Sequence, residues 1–373
     1  MRIALVHPTY WPEVRRGSER LIHDLGVSLA SRGHEVTLLT SHRGRPSVEH
    51  EDGIDVVRRW RPPERTPLSW YEHHVANVPA IVWQLWRGGY DLAHAFFPVD
   101  GWAAVKARRL GGPPVIFSFH GIPAREHLVR RRYRLELVET LAREADTVSA
   151  LSEAAAERFR AYFGRSPLIL PGGVRAADFA AELPRTPEPT LICTASLGDP
   201  RKRAGVLFDA FERLRRQRPG VRLRVAATPD PVMSGDAPEL PDGAEWFEGD
   251  DTGELASALA EAWVAVLPSI EEAFGLVLIE SLAAGTPVVA ARSGACPEIV
   301  DREPIGRLFE PDDPSSLARC LDEALDLADD PATAAACRRR AGDFDWDRVV
   351  ELYEDAYASL PDRSRQRRGV GHA

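Results

Sequence analysis

The stretch that decides the fold is PSIEEAFGLVLIESLAAGTPVVAA, residues 268–291. The apolar run Trp263 to Leu267 before it is typical of a strand buried on both faces of a parallel sheet. Phe274 and Gly275 are predicted to open a helix that ends at Gly285, and Val288 to Ala291 is the next strand. The helix N-terminus therefore lies at the carboxyl end of a parallel strand, where free backbone N–H groups favour a phosphate.

Two acids flank this predicted phosphate site. Glu272 lies in the turn before the helix, Glu280 lies inside the helix, and Gly275 between them allows close approach of the backbone. We interpret the acids as acceptors of hydrogen bonds from the hydroxyl groups of a sugar and a ribose, with the phosphates between them. The alternative is a pair of solvated acids at a helix start, which is the commoner meaning of two such glutamates alone.

The whole stretch resembles the signature of the retaining glycosyltransferases of family 4, which have the GT-B fold. That signature has two glutamates separated by seven residues in a run of the type E-G-F-G-L-x-x-x-E-A-M-A-x-G-x-P-V-V. One position departs from it, because Ala273 stands where a glycine is usual. The positions in register are Glu272, Phe274, Gly275, Leu276, Glu280, Gly285, Pro287, Val288 and Val289.

The resemblance implies an α/β fold of the GT-B type, with two Rossmann-like parallel-sheet domains facing across a cleft and a C-terminal helix crossing back to the first. We expect an N-terminal domain on the acceptor side (residues 1–180) and a nucleotide-sugar donor domain (181–345). A crossover helix (346–360) and a disordered tail (361–373) follow. The Pro-, Ala- and Glu-rich stretch from Asp178 to Pro189 predicts the linker.

Length and composition indicate a two-domain globular protein. The chain has 373 residues, 28% of them charged, and a formal net charge of −9, which argues against a general nucleic-acid binder. No signal peptide and no run of about 20 apolar residues is recognised, so a cytoplasmic location is expected. The four widely spaced cysteines are expected to be reduced, packed thiols.

In the first half, strand and helix signals alternate as in a doubly wound sheet. Ser18 and Ser152 are the predicted N-caps of two helices. The predicted strands are Ile3–Val6, Val36–Leu39, Ile54–Val57, Leu92–Ala95, Val115–Phe119, Thr147–Ala150 and Leu168–Leu170.

The opening loop resembles the family's G-G-x-E-R loop, which faces the donor phosphate and the acceptor. Gly17 keeps one glycine, and Arg16 stands in place of the other. Gly17 is therefore expected to help bind the donor. Arg15 and Arg16 are candidates for contact with a phosphate or an acidic acceptor, the alternative being a solvated loop pair.

His120 follows the strand Val115–Phe119 at its carboxyl end, the edge at which open α/β sheets place ligands. Its His-Gly pair matches a family pattern whose histidine lies near the transferred sugar, so His120 is expected in a catalytic and acceptor-contacting role. Nearby, arginines crowd residues 125–134. In some family members such a helix docks on anionic membrane, but interspersed glutamates favour a solvated helix face here.

In the second half, the loop ASLGDPRKRAG (residues 195–205) resembles the family's diphosphate-binding G-R-L-x-P-x-K-G. Lys202 falls on the lysine and is expected to bind phosphate, whereas the family's arginine has no counterpart and Arg201 or Arg203 has to compensate. Asp250 is expected near the nucleobase. We interpret the acids of residues 249–251 as loop acids, since GT-B enzymes generally work without a catalytic metal.

The activity implied is transfer of a sugar, with anomeric retention, from a UDP- or GDP-sugar to a hydroxyl acceptor in glycan, glycolipid or natural-product biosynthesis. Lys202 and helix N-termini would stabilise the departing diphosphate, and Glu272 would hold sugar hydroxyls. No cofactor and no essential metal are expected. The alternatives are a GT-B nucleotide-sugar epimerase and a non-catalytic nucleotide-sugar-binding protein.

Overall fold

The computed structural model describes residues 1–14, 16–62, 74–129, 132–227, 238–249 and 251–361. The predictions for Arg15, Asp250 and the tail after residue 361 therefore lie outside the described residues. The chain divides into two compact units. Unit 1 comprises residues 1–171 together with the chain from Trp346 onward, and unit 2 comprises Gly172–Asp345.

Unit 1 is built on an eight-stranded sheet with the order β3-β4-β2-β1-β5-β6-β7-β8. Its described neighbours pair in parallel except β3, which runs antiparallel to β4. The edge strand β3 was not predicted, because its sequence SVEHE is polar and largely exposed. The strands are β1 (Arg2–Val6), β2 (Glu35–His42), β3 (Ser47–Glu51), β4 (Ile54–Trp60), β5 (Leu92–Ala95), β6 (Val115–Phe119), β7 (Thr147–Ala150) and β8 (Leu168–Ile169).

The helices of unit 1 cover this sheet and bury an apolar core that includes Phe117, Val138 and Phe159. Ser152 caps α6 as predicted, since its Oγ accepts from the Ala155 N–H at 3.2 Å. The prediction for Ser18 is wrong, because Arg16 occupies the N-cap position of α1. The described helices are α1 (Gly17–Ser31), α2 (Val78–Arg87), α3 (Pro98–Arg109), α4 (Arg125–Val129), α5 (Arg132–Glu144) and α6 (Glu153–Phe163).

The C-terminal helix Trp346–Ala358 belongs to unit 1. Its Tyr357 hydroxyl lies 2.8 Å from Nδ1 of His94 on β5. Its Glu354 accepts from Arg32 at 2.9 Å and lies 2.8 Å from Nε2 of His34, both just after α1. Because the contacts combine buried aromatic packing with ion pairs, the helix is an integral layer of the unit.

Unit 2 is built on a six-stranded parallel sheet with the order β11-β10-β9-β12-β13-β14. The central strands are apolar and buried on both faces, as the sequence predicted for β12 and β13. The strands are β9 (Thr190–Cys193), β10 (Arg222–Ala227), β11 (Ala244–Glu248), β12 (Val264–Leu267), β13 (Val288–Ala291) and β14 (Gly306–Phe309).

The helices of unit 2 follow the strands in alternation, which gives the second unit the same Rossmann-like architecture. They are α7 (Ala204–Gln217), α8 (Thr252–Glu261), α9 (Leu276–Ala283), α10 (Cys296–Ile299), α11 (Pro314–Ala328) and α12 (Pro331–Ala341), and the C-terminal helix of unit 1 is then α13 (Trp346–Ala358). All four cysteines are free and buried, as predicted.

The division between the units falls after Pro171, nine residues before the predicted position at residue 180. The Val174 N–H donates to the Phe344 carbonyl at 2.9 Å, and Val174 forms a parallel bridge with Asp345. Phe179, in a short 3₁₀ helix, is buried. These bonds tie residues 172–180 to unit 2. Within the described parts of the chain, no helix has both the length and the apolar composition needed to cross a membrane.

Candidate functional site

The predicted strand-turn-helix-strand unit is present in unit 2. β12 ends at Leu267, α9 starts at Leu276, and Gly275 is its N-cap with φ of 95°. This left-handed conformation is one that glycine adopts without strain. Gly285, with φ of 84°, follows the helix. The local sequence therefore places the free N–H groups of α9 at the carboxyl end of the sheet, as expected.

Lys202 and Glu272 meet in this structure. The Lys202 Nζ lies 2.8 Å from the Glu272 Oε2, although the two residues are 70 positions apart in the chain. Their side chains keep 21% and 20% of their surface exposed. The structure thus brings together a predicted phosphate ligand and a predicted sugar ligand, and it joins them to each other by an ion pair.

Arg201 and Arg203, the candidates for the missing family arginine, each have an acidic partner. Arg201 donates to Asp199 Oδ2 through Nε at 3.1 Å and Nη2 at 2.6 Å, and its Nε also lies 3.3 Å from Oδ1. Arg203 Nε lies 2.7 Å from Asp312 Oδ1. Burial opposes ionisation of Asp199, but the hydrogen bonds from Arg201 hold its pKa below the ordinary value. Every cation of this loop is therefore already neutralised by a carboxylate.

Asp199 also shapes the loop itself. Its side chain accepts from the Arg201 backbone N–H at 2.9 Å, and its carbonyl accepts from the Lys202 N–H at 2.8 Å. The Arg201 carbonyl in turn accepts from the Ile270 N–H at 3.0 Å, which ties the lysine loop to the turn that carries Glu272. Sequence reasoning missed Asp199, although an aspartate directly before Pro-Arg-Lys is a typical cap for a short helical turn.

Backbone strain concentrates in these loops. Three non-glycine residues here have a positive φ: Arg203 at 49°, Glu271 at 53° and Asp312 at 60°. Such conformations cost free energy and persist where the surrounding structure holds them in place. Arg203 and Asp312 also line an open pocket of about 470 Å³ at the N-terminus of α7.

The turn Ser293–Ala295 holds the backbone of Glu271 and Glu272. Ser293 Oγ accepts from the Glu271 N–H at 3.0 Å, and the Ala295 N–H donates to the Glu272 carbonyl at 2.8 Å. Gly294 lies so close that a Cβ there would be 2.2 Å from the Glu272 carbonyl oxygen. The turn Ser293–Ala295 therefore positions Glu272, a role that the sequence did not predict.

The remaining predicted donor ligands of unit 2 differ in exposure. Glu280 is 1% exposed within α9. The Phe274 ring is buried against Phe344, with ring centroids 5.8 Å apart, so the ring itself is closed to a ligand. Leu276 is the partly exposed first residue of α9.

In unit 1, His120 lies at the carboxyl end of β6 beside the start of α1. Its Nδ1 is 3.3 Å from Ser18 Oγ, and its ring packs against Phe96 with centroids 5.1 Å apart. Arg16 and Gly17 immediately precede Ser18, so the structure groups these three predicted residues with His120. Ser18 does not cap α1 and instead faces the imidazole.

Sequence reasoning missed two buried polar residues beside this group, His7 and Glu19. The His7 Nδ1 donates to the Thr9 carbonyl at 2.7 Å, and the Thr9 hydroxyl donates to Glu19 at 2.8 Å. His7 directly follows the apolar strand β1, and a polar residue at that position was the signal available in the sequence.

Burial suppresses the ionisation of His120, His7 and Asp100. It lowers the pKa of His120 to about 3 and also lowers the pKa of His7. Burial raises the pKa of Asp100, near the start of α3, to about 8. At neutral pH, the carboxyl edge of the unit 1 sheet therefore presents neutral imidazoles and a largely protonated carboxyl group.

The choice of lysine at position 202 is unusual for this chain. Of the 47 basic residues only two are lysines, Lys106 and Lys202. Lysine is a compact charge, whereas arginine is a planar fork, so position 202 departs from a strong arginine bias. Among the described residues, no group of three or more His, Cys, Asp or Glu side chains is arranged to hold a metal ion.

Two sequence-family models match the chain side by side. The model described as Glycosyltransferase Family 4 matches residues 15–178, and the model described as Glycosyl transferases group 1 matches residues 188–326. The second match contains the whole Lys202–Glu272 site.

Whole-length relatives agree with these matches. The chain is 29% identical to a glycogen synthase of Mycobacterium tuberculosis, covering 98% of this chain and 96% of that protein. It is 27% identical to a D-inositol 3-phosphate glycosyltransferase of Arthrobacter sp., covering 96% and 94%. The structure of a sucrose-phosphate synthase from Thermosynechococcus elongatus superposes with a TM-score of 0.78 at 25% identity, covering 96% and 99%.

Proposed function

We infer the activity of this chain from the family to which it belongs, glycosyltransferase family 4, and propose that it transfers a sugar from a UDP- or GDP-sugar to a hydroxyl acceptor with anomeric retention. Its two Rossmann-like units are those of the GT-B fold. The observation that carries the proposal is the meeting of Lys202 with Glu272 beside the N-terminus of α9.

The donor diphosphate is proposed to bind at this N-terminus. The backbone N–H groups that follow Gly275 and the ammonium of Lys202 are positive groups held in place before the reaction begins. Negative charge grows on the diphosphate as the bond to the sugar breaks, so fixed positive groups there lower the barrier. No metal is needed in this scheme, since the protein itself supplies the counter-charge.

Glu272 is proposed to hold sugar hydroxyl groups and not to attack the sugar carbon. Its Oε2 pairs with Lys202 at 2.8 Å, and its backbone is fixed by the Ser293–Ala295 turn. Retention then follows from attack of the acceptor on the face that the diphosphate leaves, with the leaving phosphate accepting the acceptor's proton. Glu280, buried in α9, is proposed to bind the ribose hydroxyls of the nucleotide.

The acceptor is proposed to be recognised by unit 1 through His120 and its neighbours. A neutral imidazole and a serine hydroxyl exchange hydrogen bonds with an uncharged hydroxyl group without a charge penalty. Arg16 provides a positive charge near the same group. The names of the matched relatives differ in the molecule they act on, glycogen in one and D-inositol 3-phosphate in the other, so the acceptor class has to be determined directly.

The test is to incubate the purified chain with UDP-glucose, GDP-mannose and ADP-glucose, with and without a panel of hydroxyl acceptors. Free nucleoside diphosphate is measured, and the anomeric configuration of the product is read by NMR. We expect acceptor-dependent release and a retained configuration. Epimerised sugar nucleotide without acceptor would indicate the epimerase, and binding of a donor without turnover on any acceptor would indicate a binding protein. An inverted product would overturn the proposed mechanism.

A further inference from the structure

The three basic side chains of the loop 201–203 differ in how firmly their carboxylate partners hold them. Asp199 takes two hydrogen bonds from the side chain of Arg201 and also caps the turn. Asp312 contacts Arg203 through both oxygens, at 2.7 and 3.4 Å. Lys202 has a single contact to Glu272, at 2.8 Å. A diphosphate that enters this loop therefore displaces the partner of Lys202 most readily.

Displacement has a consequence for Glu272. Its backbone cannot follow the lysine or withdraw, because the Ser293 hydroxyl, the Ala295 N–H and the close approach of Gly294 fix residues 271 and 272. Once phosphate takes Lys202, the carboxylate of Glu272 stays in place next to a second anion. The cluster holds four carboxylates against three cations: Asp199, Glu271, Glu272 and Asp312 against Arg201, Lys202 and Arg203. A hydroxyl-bearing group is then needed to satisfy Glu272.

Resting on the proposed function, we propose that the Glu272 carboxylate competes with the donor phosphate for Lys202. When the donor binds, Glu272 exchanges its contact with the lysine for contacts with hydroxyl groups of the sugar. A nucleoside diphosphate sugar supplies both a phosphate for Lys202 and hydroxyl groups for Glu272. A free nucleoside diphosphate supplies only the phosphate and leaves Glu272 unsatisfied. The ion pair therefore makes the site discriminate in favour of the sugar-carrying donor and promotes release of the diphosphate product.

The experiment compares Glu272→Gln with the wild-type chain by isothermal titration with UDP, GDP and the matching UDP- and GDP-sugars. We expect the variant to bind the free nucleoside diphosphate roughly three- to fivefold more tightly, the range that a partly exposed ion pair supports. The sugar nucleotide should show no such gain, because the amide replaces the carboxylate contact to the sugar. The preference of the site for donor over product should therefore fall.

Glu310→Gln is the matched control, since it removes the same charge from unit 2 and breaks an exposed ion pair with Arg292. It should leave all four affinities within twofold of wild type. If both variants bound UDP more tightly to the same extent, loss of one negative charge anywhere in unit 2 would explain the gain, and the proposal would be overturned. An unchanged UDP affinity in Glu272→Gln would also overturn it. Equal tightening of the diphosphate and the sugar nucleotide in that variant would also overturn it, because Glu272 would then hold no sugar.

A second readout follows Lys202 in the wild-type protein. After reductive ¹³C-methylation, the amines of the protein are the N-terminus and the two lysines, so the Lys202 signal is assigned by its loss in Lys202→Arg. Adding UDP should shift the Lys202 signal and leave the Lys106 signal unchanged. A Lys202 signal that does not move at saturating UDP would overturn the exchange of partners. If no sugar nucleotide or nucleoside diphosphate binds wild type or variant, the proposed function itself fails.

Discussion

The carboxyl edges of the two sheets, one in each unit, carry polar groups of opposite character. In unit 2, Lys202 and Glu272 form an ion pair, and each side chain is about one-fifth exposed. In unit 1, His120 and His7 are kept neutral by burial, and burial raises the pKa of Asp100 to about 8. The same parallel-sheet architecture therefore supports an exposed ion pair in one unit and buried neutral imidazoles in the other.

The difference follows from how each edge is enclosed. In unit 1, the rings of Phe96 and Phe97 pack against His120 and His7, which removes water and disfavours charge. In unit 2, the Lys202 and Glu272 side chains stay partly exposed to water, where an ion pair forms at low cost. An ionic site suits a diphosphate, whereas a neutral site suits hydroxyl groups.

The largest effect is expected at the charged edge, from Lys202→Ala. Removing the cation that is proposed to stabilise the leaving diphosphate should lower kcat by about a hundredfold and raise the KM for the donor, since one such contact is typically worth that much. Lys202→Arg should be intermediate, because the guanidinium keeps the charge but not the compact shape. Steady-state kinetics with varied donor measure both.

Lys106→Ala is the control for this series. Lys106 is the other lysine of the chain and lies over the Trp102 ring of unit 1, at 4.2 Å. Its kcat and KM should match wild type within twofold. A Lys202→Ala enzyme with wild-type kinetics would show that the charged edge does not serve the diphosphate, and the contrast between the two edges would lose its functional meaning.

A smaller effect is expected from Gly294→Ala, which tests whether the position of Glu272 matters at the charged edge. The added Cβ would clash with the Glu272 carbonyl oxygen, and the φ of 56° is unfavourable for alanine. We expect the free energy of unfolding to fall by about 1–3 kcal/mol and kcat/KM to fall about tenfold as Glu272 shifts. Chemical denaturation and initial rates measure the two.

Gly342→Ala is the matched control, because Gly342 has φ of −60° and no atom within 4 Å of its added Cβ. It should retain full activity and nearly full stability. If Gly294→Ala were as active and stable as Gly342→Ala, the turn would not hold Glu272 in the way we describe.

The sequence predicts the central strands of both sheets well, because strands such as Val115–Phe119 and Val264–Leu267 are continuous apolar runs bounded by turn residues. It also predicts the helix start at Gly275. It fails at Ser47–Glu51, where a polar edge strand carries no apolar pattern, and at Ser18, whose partner is 102 residues away. Local periodicity contains no information about such long-range contacts.

The same limit applies to the candidate site. The residues Lys202 and Glu272 are identifiable from their motifs, but their pairing is not, since it joins loops after two different strands. The expectation that Arg201 or Arg203 replaces the family's arginine could not anticipate Asp199 and Asp312 as their partners. Side-chain pairing depends on which loops the sheet order makes adjacent, and β9 beside β12 is a tertiary fact.

The smallest effect on rate is expected at the neutral edge, from His120→Asn. Because the pKa of His120 is lowered to about 3, its imidazole stays neutral between pH 5.5 and 8.5. His120 should therefore contribute no inflection to the plot of log kcat/KM against pH in this range, and the plot for His120→Asn should have the same shape as that of wild type. Asparagine keeps a neutral hydrogen-bonding group towards Ser18, so the rate should fall by less than about tenfold, and His120→Ala should be slower than His120→Asn.

Stability gives an independent readout, since the unfolded imidazole takes up a proton below its ordinary pKa of about 6.5 while the folded one does not. The wild type should therefore lose stability as the pH falls from about 6.5 towards 4, and His120→Asn should lose less over that window. An inflection near pH 6.5 that disappears in His120→Asn would mean that His120 ionises, and the edge of unit 1 would then be a charged site like that of unit 2.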